Sequence, residues 1–347
     1  MPNESPGPPL RETVVPFQVG DGFGCNLVHV EGDRPPTKGP VLCVHGAGVR
    51  GNIFRAPVRT HLVRYLIDNG YDVWLENWRA SIDLPPNEWT LDRAAAFDHP
   101  AAVRKVVEET GADEVKAVIH CQGSTSFMMS AVAGLVPEVK TVIANAVSLH
   151  TTIPSFSEFK IRRIAPFVAR LTPYMNPQWG LEAPTATAKA LALVVRMTHH
   201  ECSNPVCKMA SFTYGTGSPT LWRHENLNPA THEWVKQEFA HVPFTFFHQM
   251  ARCVEAGHLV AVDDRPGLPH DFVAQPPETD ARFVFLAGQK NVCFLPVGQE
   301  RTFRFFDDAR PGYHRLYELP QYGHLDVFIG ERASEDVFPL VLQELER

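Results

Sequence analysis

Cys121 is the residue of this sequence best placed to do covalent chemistry. It lies in the stretch HCQG at residues 120–123, between an apolar run over residues 115–119 and a small-residue helical pattern over residues 124–135. A strand, a tight turn and a helix in that order present the side chain at the apex of the turn, with the next backbone N–H beside it. We therefore predict that Cys121 is a nucleophile and that the N–H of Gln122 is an oxyanion donor.

Two downstream residues could activate the thiol. His324 follows the last predicted strand, and Asn291 follows the strand before it. A thiol is more acidic than a hydroxyl, so an amide oxygen that fixes the imidazole tautomer can serve as the orienting group. The chain order is then nucleophile, orienter and base, and we expect Ala47, in the HGAG loop at residues 45–48, to supply the second oxyanion N–H.

Each of these assignments has a plainer alternative. Cys121 and His324 could be ordinary buried or loop residues, and turn amides such as Asn291 commonly cap backbone groups. Among other carboxylates, Asp263 and Asp264 precede the resumed strand, and Asp326 is too close to His324 in sequence to orient it.

Two further features depart from common patterns. Ile119 stands where the first glycine of a G-x-S-x-G elbow is usual, which puts the detailed turn geometry in question. The other feature is a group of two histidines and two cysteines, His199, His200, Cys202 and Cys207. Their spacing matches no common zinc site. We favour plain packing for this group, with a Cys202–Cys207 disulfide and a metal site as alternatives. We expect no cofactor and no bound metal.

The elements that must position these residues alternate between strand and helix. Strands are predicted at residues 41–44, 71–75, 115–120 and 139–145, with helices at 52–70, 98–108 and from 124 onward. This alternation is typical of a mainly parallel sheet that helices cover on both faces. The sheet resumes at residues 281–286 and 313–319, and a helix over 333–345 closes the fold.

The intervening segment breaks that rhythm. Residues 151–275 contain mixed helical stretches interrupted by Pro and Gly, with many Phe and Met residues. We predict a large, mostly helical cap there, inserted before the penultimate core strand. The α/β core then comprises residues 39–150 and 276–347, and residues 1–38 form an N-terminal arm and a hairpin.

At these residues the sequence resembles the α/β-hydrolase superfamily. It looks closest to the hydrolase modules found fused to, or beside, cholesterol-oxidase-type flavin oxidoreductases, in a branch with a cysteine nucleophile. The stretches that carry the resemblance are YDVWL with WRASIDLP at residues 71–85, HCQGS at 120–124, CSNPVC at 202–207, LN with TH at 227–232, and GHLD at 323–326. The resemblance implies the fold and the triad positions, and an oxidoreductase or an acyl carrier as a possible partner.

Composition excludes several other classes of function. The chain has 347 residues, a net charge of −7 and 44% hydrophobic residues, with no basic stripe. These values argue against nucleic acid as a partner. No apolar run is long enough to span a bilayer, and the polar start of the chain has no signal-peptide core. Seven scattered cysteines indicate reduced thiols, so we expect a cytoplasmic protein.

Three hypotheses follow for the function. The leading one is hydrolysis of an ester, thioester or lactone of an apolar acyl group through an acyl-Cys121 intermediate, since the predicted cap is rich in apolar residues. The first alternative is an acyltransferase that uses the same intermediate. The second is a non-catalytic module that partners a flavin oxidoreductase, which Ile119 and Asn291 favour as departures from an active elbow and triad.

Overall fold

An eight-stranded, mainly parallel sheet forms the frame of the protein in a computed structural model, which describes residues 9–146, 149–215, 220–265 and 267–347. In the sheet the strands follow the order β1-β2-β4-β3-β5-β6-β9-β10, and a second sheet pairs β7 with β8. The bounds are β1 Arg11–Gln18, β2 Gly24–Glu31, β3 Pro40–Val44, β4 Asp72–Asn77, β5 Val115–His120, β6 Val139–Asn145, β7 Tyr174–Met175, β8 Val242–Pro243, β9 Arg282–Gly288 and β10 Arg315–Leu319.

The burial of each strand corresponds to its position in the sheet. The central strands β3 and β5 are almost wholly buried because helices cover both faces of a parallel sheet. At one edge, β1 and β2 form an antiparallel hairpin, and β2 pairs antiparallel with β4. The predicted mainly parallel sheet is confirmed, and the strands at the site begin and end within two residues of their predicted bounds. Residues 1–8 of the predicted N-terminal arm lie outside the described residues, and β1 and β2 form the predicted hairpin.

Helices cover the sheet and make up most of the segment between β6 and β9. In chain order they are α1 Leu62–Asp68, α2 Leu91–Arg93, α3 His99–Thr110, α4 Cys121–Val132, α5 Ser155–Phe159, α6 Ala165–Val168, α7 Ala186–Thr198, α8 Pro205–Tyr214, α9 Pro229–Trp234, α10 Phe244–Ala256, α11 Pro296–Ala309, α12 Asp326–Ile329, α13 Ala333–Asp336 and α14 Phe338–Leu345. We refer to residues 151–275 as the inserted segment. Its helices α5 to α10 lie between β6 and the penultimate strand β9, as predicted from the loss of strand–helix alternation.

Two predicted helices were wrong in detail. The helix expected over residues 52–70 is a 3-10 turn, Gly51–Arg55, followed by α1, because Ala56 precedes Pro57 and adopts an extended ψ of 152°. The helix expected over 333–345 is divided into α13 and α14 at Val337, whose φ is −120°. Pro339 lies in the first turn of α14, where a proline is tolerated, but it could not continue the helix from α13.

Candidate active site

Cys121 lies at a sharp turn between β5 and α4. Its φ of 56° falls in the left-handed region, which a residue with a side chain enters at a cost of about 1–3 kcal/mol. The turn is possible because two neighbouring residues, Gly123 and Gly46, have no side chain. A β-carbon on Gly123 would lie 2.0 Å from the His45 carbonyl oxygen, and one on Gly46 would lie 2.9 Å from the Cys121 β-carbon. Ile119 is fully buried in β5 and pairs with Val44, so its side chain does not prevent the turn.

The thiol of Cys121 lies against two backbone N–H groups. They belong to Gln122 and Ala47, the two residues predicted to donate to an oxyanion, and both lower the pKa of the thiol. Burial has the larger and opposite effect, and it raises the pKa of Cys121 to about 12. The resting sulfur is therefore a neutral thiol beside two N–H donors.

The loop that carries Ala47 is held from both sides. From the core, the Trp78 indole N–H donates to the His45 carbonyl at 2.9 Å, and Gly48 N–H donates to the Ala80 carbonyl at 3.1 Å. From the inserted segment, the Tyr214 hydroxyl donates to the Ala47 carbonyl at 2.8 Å. These bonds give the loop a fixed orientation, as preorganised stabilisation of an oxyanion requires.

His324 meets Cys121 at the end of the sheet. A ring nitrogen of His324 and the Cys121 sulfur lie within 4.8 Å of each other. Since Nδ1 of the ring faces Asn291, Nε2 is the nitrogen left for the thiol, and it is buried without a hydrogen-bond partner among the described residues. Burial lowers the pKa of His324 to about 3. The structure thus joins the three residues predicted as a triad.

The Asn291 amide is oriented opposite to the prediction. Its oxygen accepts backbone N–H bonds from Cys293 at 2.9 Å and Phe294 at 3.1 Å, which leaves the amide nitrogen 3.2 Å from His324 Nδ1. An amide nitrogen donates, so Nδ1 must accept and the ring proton is on Nε2. In this tautomer the nitrogen next to the thiol has no free lone pair, so the expectation that the amide oxygen fixes a basic Nε2 was wrong for this arrangement.

Sequence reasoning missed a second histidine at the site. His120 precedes the nucleophile, and its ring centroid lies 4.9 Å from that of His324. The amide nitrogen of Asn145 lies 2.9 Å from His120 Nδ1 and donates to the His324 carbonyl, also at 2.9 Å. Burial, followed by the neighbouring ring of His324, lowers the pKa of His120 well below its usual value. The position of Asn145 at the end of β6, beside β5, was the available signal.

An apolar cavity opens beside the thiol, lined by the inserted segment. Its volume is about 850 Å³, which includes space open to solvent. Its apolar lining includes Ile153, Ile161, Val168, Leu191, Phe212, Phe246, Met250 and Phe294. Lys160 is the charged residue among the described lining residues, and its ammonium donates to the Phe212 and Gly215 carbonyls near the end of α8. Burial lowers the pKa of Lys160 to about 8.

Three other side chains in the core are joined by hydrogen bonds in the order carboxylate, imidazole and hydroxyl, as in a catalytic triad. His99 Nδ1 lies 2.9 Å from a Glu76 carboxylate oxygen, and His99 Nε2 lies 2.7 Å from the Ser126 hydroxyl. All three side chains have an exposure of 0%, whereas Cys121 borders the cavity. These three buried side chains therefore connect α4 to β4 and α3, and they cannot reach a substrate.

The remaining sequence candidates have other contacts. Asp263 accepts from the Thr90 hydroxyl at 2.8 Å. Asp326 accepts from Gly323 N–H at 2.9 Å and from the Asn226 amide at 2.6 Å, so it shapes the turn before His324 without orienting its ring.

The four residues considered for zinc or a disulfide separate into two groups. His199 lies 3.0 Å from the Glu201 carboxylate, and His200 lies 3.0 Å from the Met197 carbonyl. Cys202 and Cys207 are both free thiols, so the disulfide considered for them is not formed.

Asp326 gives a direct test of how the His324 turn is held. Asp326→Asn places an amide NH₂ where the carboxylate accepted from Gly323 or Asn226. The buried donor left unpaired should lower the free energy of unfolding by about 2 kcal/mol. Urea denaturation measures this change, and Asp264→Asn, at an exposed position, is the matched control. Equal stability of the two variants would contradict the role of Asp326.

The structure offers one observation about membranes. In the described ranges, no helix combines the length and the apolar character that a bilayer crossing requires.

The family model for the alpha/beta hydrolase fold matches residues 39–330. Human lipase member K is 22% identical over 344 residues, which cover 93% of this chain and 82% of the lipase. Sterol esterase 2 of Saccharomyces cerevisiae is 27% identical over 134 residues, but the match covers 34% of this chain and only 25% of the esterase.

Solved structures with the same fold include an esterase and a lipase. The esterase of Thermogutta terrifontis superposes with a TM-score of 0.56 at 15% identity, covering 97% of this chain and 98% of the esterase. The monoacylglycerol lipase of Paleococcus ferrophilus gives a TM-score of 0.57 at 13% identity, covering 96% of this chain and 97% of the lipase. At these identities the likeness concerns the fold.

Proposed function

Since the chain belongs to the α/β-hydrolase fold family, we propose that it hydrolyses esters of apolar acyl groups through an acyl-Cys121 intermediate. The single observation that carries this proposal is the position of the Cys121 thiol, beside the N–H groups of Ala47 and Gln122 and at the edge of an apolar cavity. That arrangement supports the proposal, because a nucleophile, an oxyanion site and a binding pocket for an acyl chain would then lie next to one another. Relatives that are named as lipases and esterases support the same reaction class.

The reaction would proceed in two steps. The Cys121 sulfur attacks the ester carbonyl carbon, and the thiol proton passes to His324 while Ala47 and Gln122 hold the oxyanion. His324 returns the proton to the leaving alkoxide as the C–O bond breaks, which leaves a thioester on Cys121. Water then attacks the thioester carbonyl and gives its proton to His324, and the acid leaves as the thiol reforms.

The orientation of Asn291 sets a condition on the first step. His324 can accept the thiol proton on Nε2 only when its own proton is on Nδ1, and Nδ1 then needs an acceptor. The Asn291 oxygen could accept that proton only after leaving the backbone N–H groups of Cys293 and Phe294. We therefore propose that the natural chain turns over slowly, because its orienting residue stabilises the non-basic tautomer.

The cavity indicates the class of acyl group. Its described lining is dominated by aliphatic and aromatic side chains, contributed largely by residues 160–164, α6, α8 and α10. Lys160 has its ammonium committed to two carbonyl oxygens, so it does not offer a free charge to a carboxylate on the substrate. We propose that residues 151–275 act as a cap over this cavity, and that the acyl chain of an ester, thioester or lactone occupies it.

Trapping the intermediate tests the proposed reaction. Incubation with p-nitrophenyl esters of increasing chain length should release p-nitrophenol, with kcat/KM rising as the chain becomes long enough to fill the cavity. Rapid acid quenching and peptide mass spectrometry should locate the acyl mass on Cys121. Acylation of another residue, or no acylation with any chain length, would overturn the proposal.

The pH dependence of alkylation provides a further prediction. Because burial raises the pKa of Cys121 to about 12, the thiolate is scarce at pH 7. Iodoacetamide should therefore modify Cys121 about 10³-fold more slowly than a free cysteine of pKa about 8.5. The rate should rise about tenfold per pH unit from pH 7 to 10, whereas glutathione levels off as its thiol ionises. Fast alkylation that is constant from pH 6 to 8 would instead indicate a thiolate–imidazolium pair.

The same geometry favours a second candidate function. Asn291 stabilises the tautomer of His324 in which Nε2 is not basic. Such an arrangement suits a module with little or no turnover, including one that partners a flavin oxidoreductase. A transferase that passes the acyl group to an amine or alcohol is the other alternative. Product analysis with and without an added acceptor separates transfer from hydrolysis, and binding of an apolar ester without acylation of Cys121 would favour the non-catalytic module.

A further inference from the structure

A cluster of side chains that could ligate a metal ion lies in the inserted segment. It consists of Cys202, Cys207, His224 and His232, whose candidate ligand atoms all lie within 4.8 Å of one another. Within it, the Cys207 sulfur lies 3.4 Å from His224 Nε2, and the ring centroids of the two histidines are 4.8 Å apart. We call these four residues the Cys₂His₂ cluster.

Local structure brings the cysteines together and sets them beside one histidine. Cys202 precedes α8 and Cys207 lies in its first turn, which Asn204 caps by accepting from the N–H groups of Val206 and Cys207 at 3.1 Å each. The Asn204 amide also donates to the His232 carbonyl at 2.6 Å. One capping residue thus fixes the start of α8 against α9, which carries His232.

Two observations indicate that the cluster is built for a ligand. His232 Nε2 is buried and has no hydrogen-bond partner among the described residues, which is costly for an imidazole unless a further group satisfies it. Both cysteines are free thiols despite their proximity. Plain packing explains neither the unpartnered nitrogen nor the convergence of four soft or borderline donors on one point.

We propose that the Cys₂His₂ cluster binds one zinc ion as a structural site. Two thiolates and two imidazoles in a tetrahedron are a common donor set for Zn²⁺. With Zn–S near 2.3 Å and Zn–N near 2.0–2.1 Å, neighbouring donors in a tetrahedron lie roughly 3.3–3.8 Å apart, and the separation of 3.4 Å between Cys207 and His224 falls in this range. Binding displaces one proton from each thiol, so two protons are released per zinc ion.

The four protein donors complete the tetrahedron and leave no position for a substrate, so the zinc would hold chain segments together. It would join the start of α8, the turn His224–Asn226 and α9. The segment with His224 also supports the loop of the catalytic histidine: Leu325 N–H donates to the Leu221 carbonyl at 2.8 Å, and the Asn226 amide donates to Asp326 at 2.6 Å. Zinc would therefore stiffen the part of the inserted segment that rests on the His324 turn.

Metal analysis of the whole protein tests the proposal without reference to activity. Protein purified in reducing buffer with zinc present and then desalted should contain one zinc ion per chain by elemental analysis. Exchange with Co²⁺ should produce thiolate-to-cobalt charge-transfer absorption and the intense visible bands of a tetrahedral site. The double variant Cys202→Ser/Cys207→Ser and the single variant His232→Ala should lose the metal and these bands.

His200→Ala is the matched control, because His200 lies on the same part of the chain and bonds to Met197 instead of to the cluster. It should retain full metal content. A chelator that removes the metal should lower the apparent Tm of the natural protein and of His200→Ala by about 5 °C or more, and leave that of the double cysteine variant unchanged. Less than 0.1 metal ion per chain after incubation with zinc, equal metal content in the double cysteine variant, or a Cys202–Cys207 disulfide in reducing buffer would overturn the proposal.

Discussion

Replacement of Asn291 with aspartate is expected to raise kcat/KM for a p-nitrophenyl ester by at least about tenfold. One carboxylate oxygen can keep the backbone bonds from Cys293 and Phe294, while the other accepts from His324 Nδ1. This moves the ring proton to Nδ1 and leaves Nε2 basic, next to the Cys121 thiol. In triads that normally carry a carboxylate, the opposite exchange lowers kcat by about 10⁴ because it selects the wrong tautomer. Initial-rate kinetics on the purified variant measure the gain.

Two controls connect this gain to the proposed mechanism. Asn291→Ala removes the amide donor but offers His324 Nδ1 no acceptor and leaves two backbone N–H groups unpaired, so any gain should be smaller than that of Asn291→Asp. The gain should also vanish in Asn291→Asp/Cys121→Ala, since a more basic imidazole has no thiol to activate. If Asn291→Asp leaves kcat/KM unchanged although the variant folds and Cys121 is still acylated, the tautomer does not limit the rate.

Replacement of Cys121 with alanine should lower kcat/KM for the same ester by about 10³-fold or more. The variant keeps the oxyanion N–H groups and the cavity but has no atom to form the acyl-enzyme. Residual hydrolysis should require neither the thiol nor an acyl intermediate, and no acyl mass should be found on the protein. Initial rates and intact-mass analysis measure both effects.

Cys25→Ala is the appropriate control for the loss of a buried thiol. Cys25 is 3% exposed and lies in β2, outside the cavity lining. It should alter kcat/KM by no more than about threefold, because a surface or core change away from the site acts mainly on stability. If Cys121→Ala retains activity close to that of Cys25→Ala, Cys121 is not the nucleophile.

Much of the frame was predictable because local sequence and tertiary environment agree there. The apolar run over residues 115–119 makes a central strand, and the small residues after Cys121 allow α4 to approach the sheet closely. Chain order then brings His324 and Asn291 to the same edge, because the carboxyl ends of parallel strands lie together. The identity of the residue at the apex followed from that order.

The rest depended on contacts between residues far apart in sequence. The N–H groups of residues 293 and 294 bind the Asn291 amide oxygen, so the amide nitrogen faces His324. The sequence pattern does not show the backbone conformation of residues 293 and 294. Likewise, Cys202 and Cys207 meet His224 and His232 only through the packing of α8 against the following turns. The neighbouring histidines at 199 and 200 were closer in sequence but point to other partners.

The bond from Tyr214 to the Ala47 carbonyl has a consequence for how a substrate enters. The same loop also accepts a bond from Ala240 N–H, at Gly48, so the inserted segment holds the peptides next to the proposed oxyanion donor, Ala47, at two points. A rigid flap that swung away from the core would break both bonds and loosen the donor at the moment of admission. The protein could then not be open to substrate and competent for ester cleavage at the same time. Both hydrogen bonds would have to form again in each turnover.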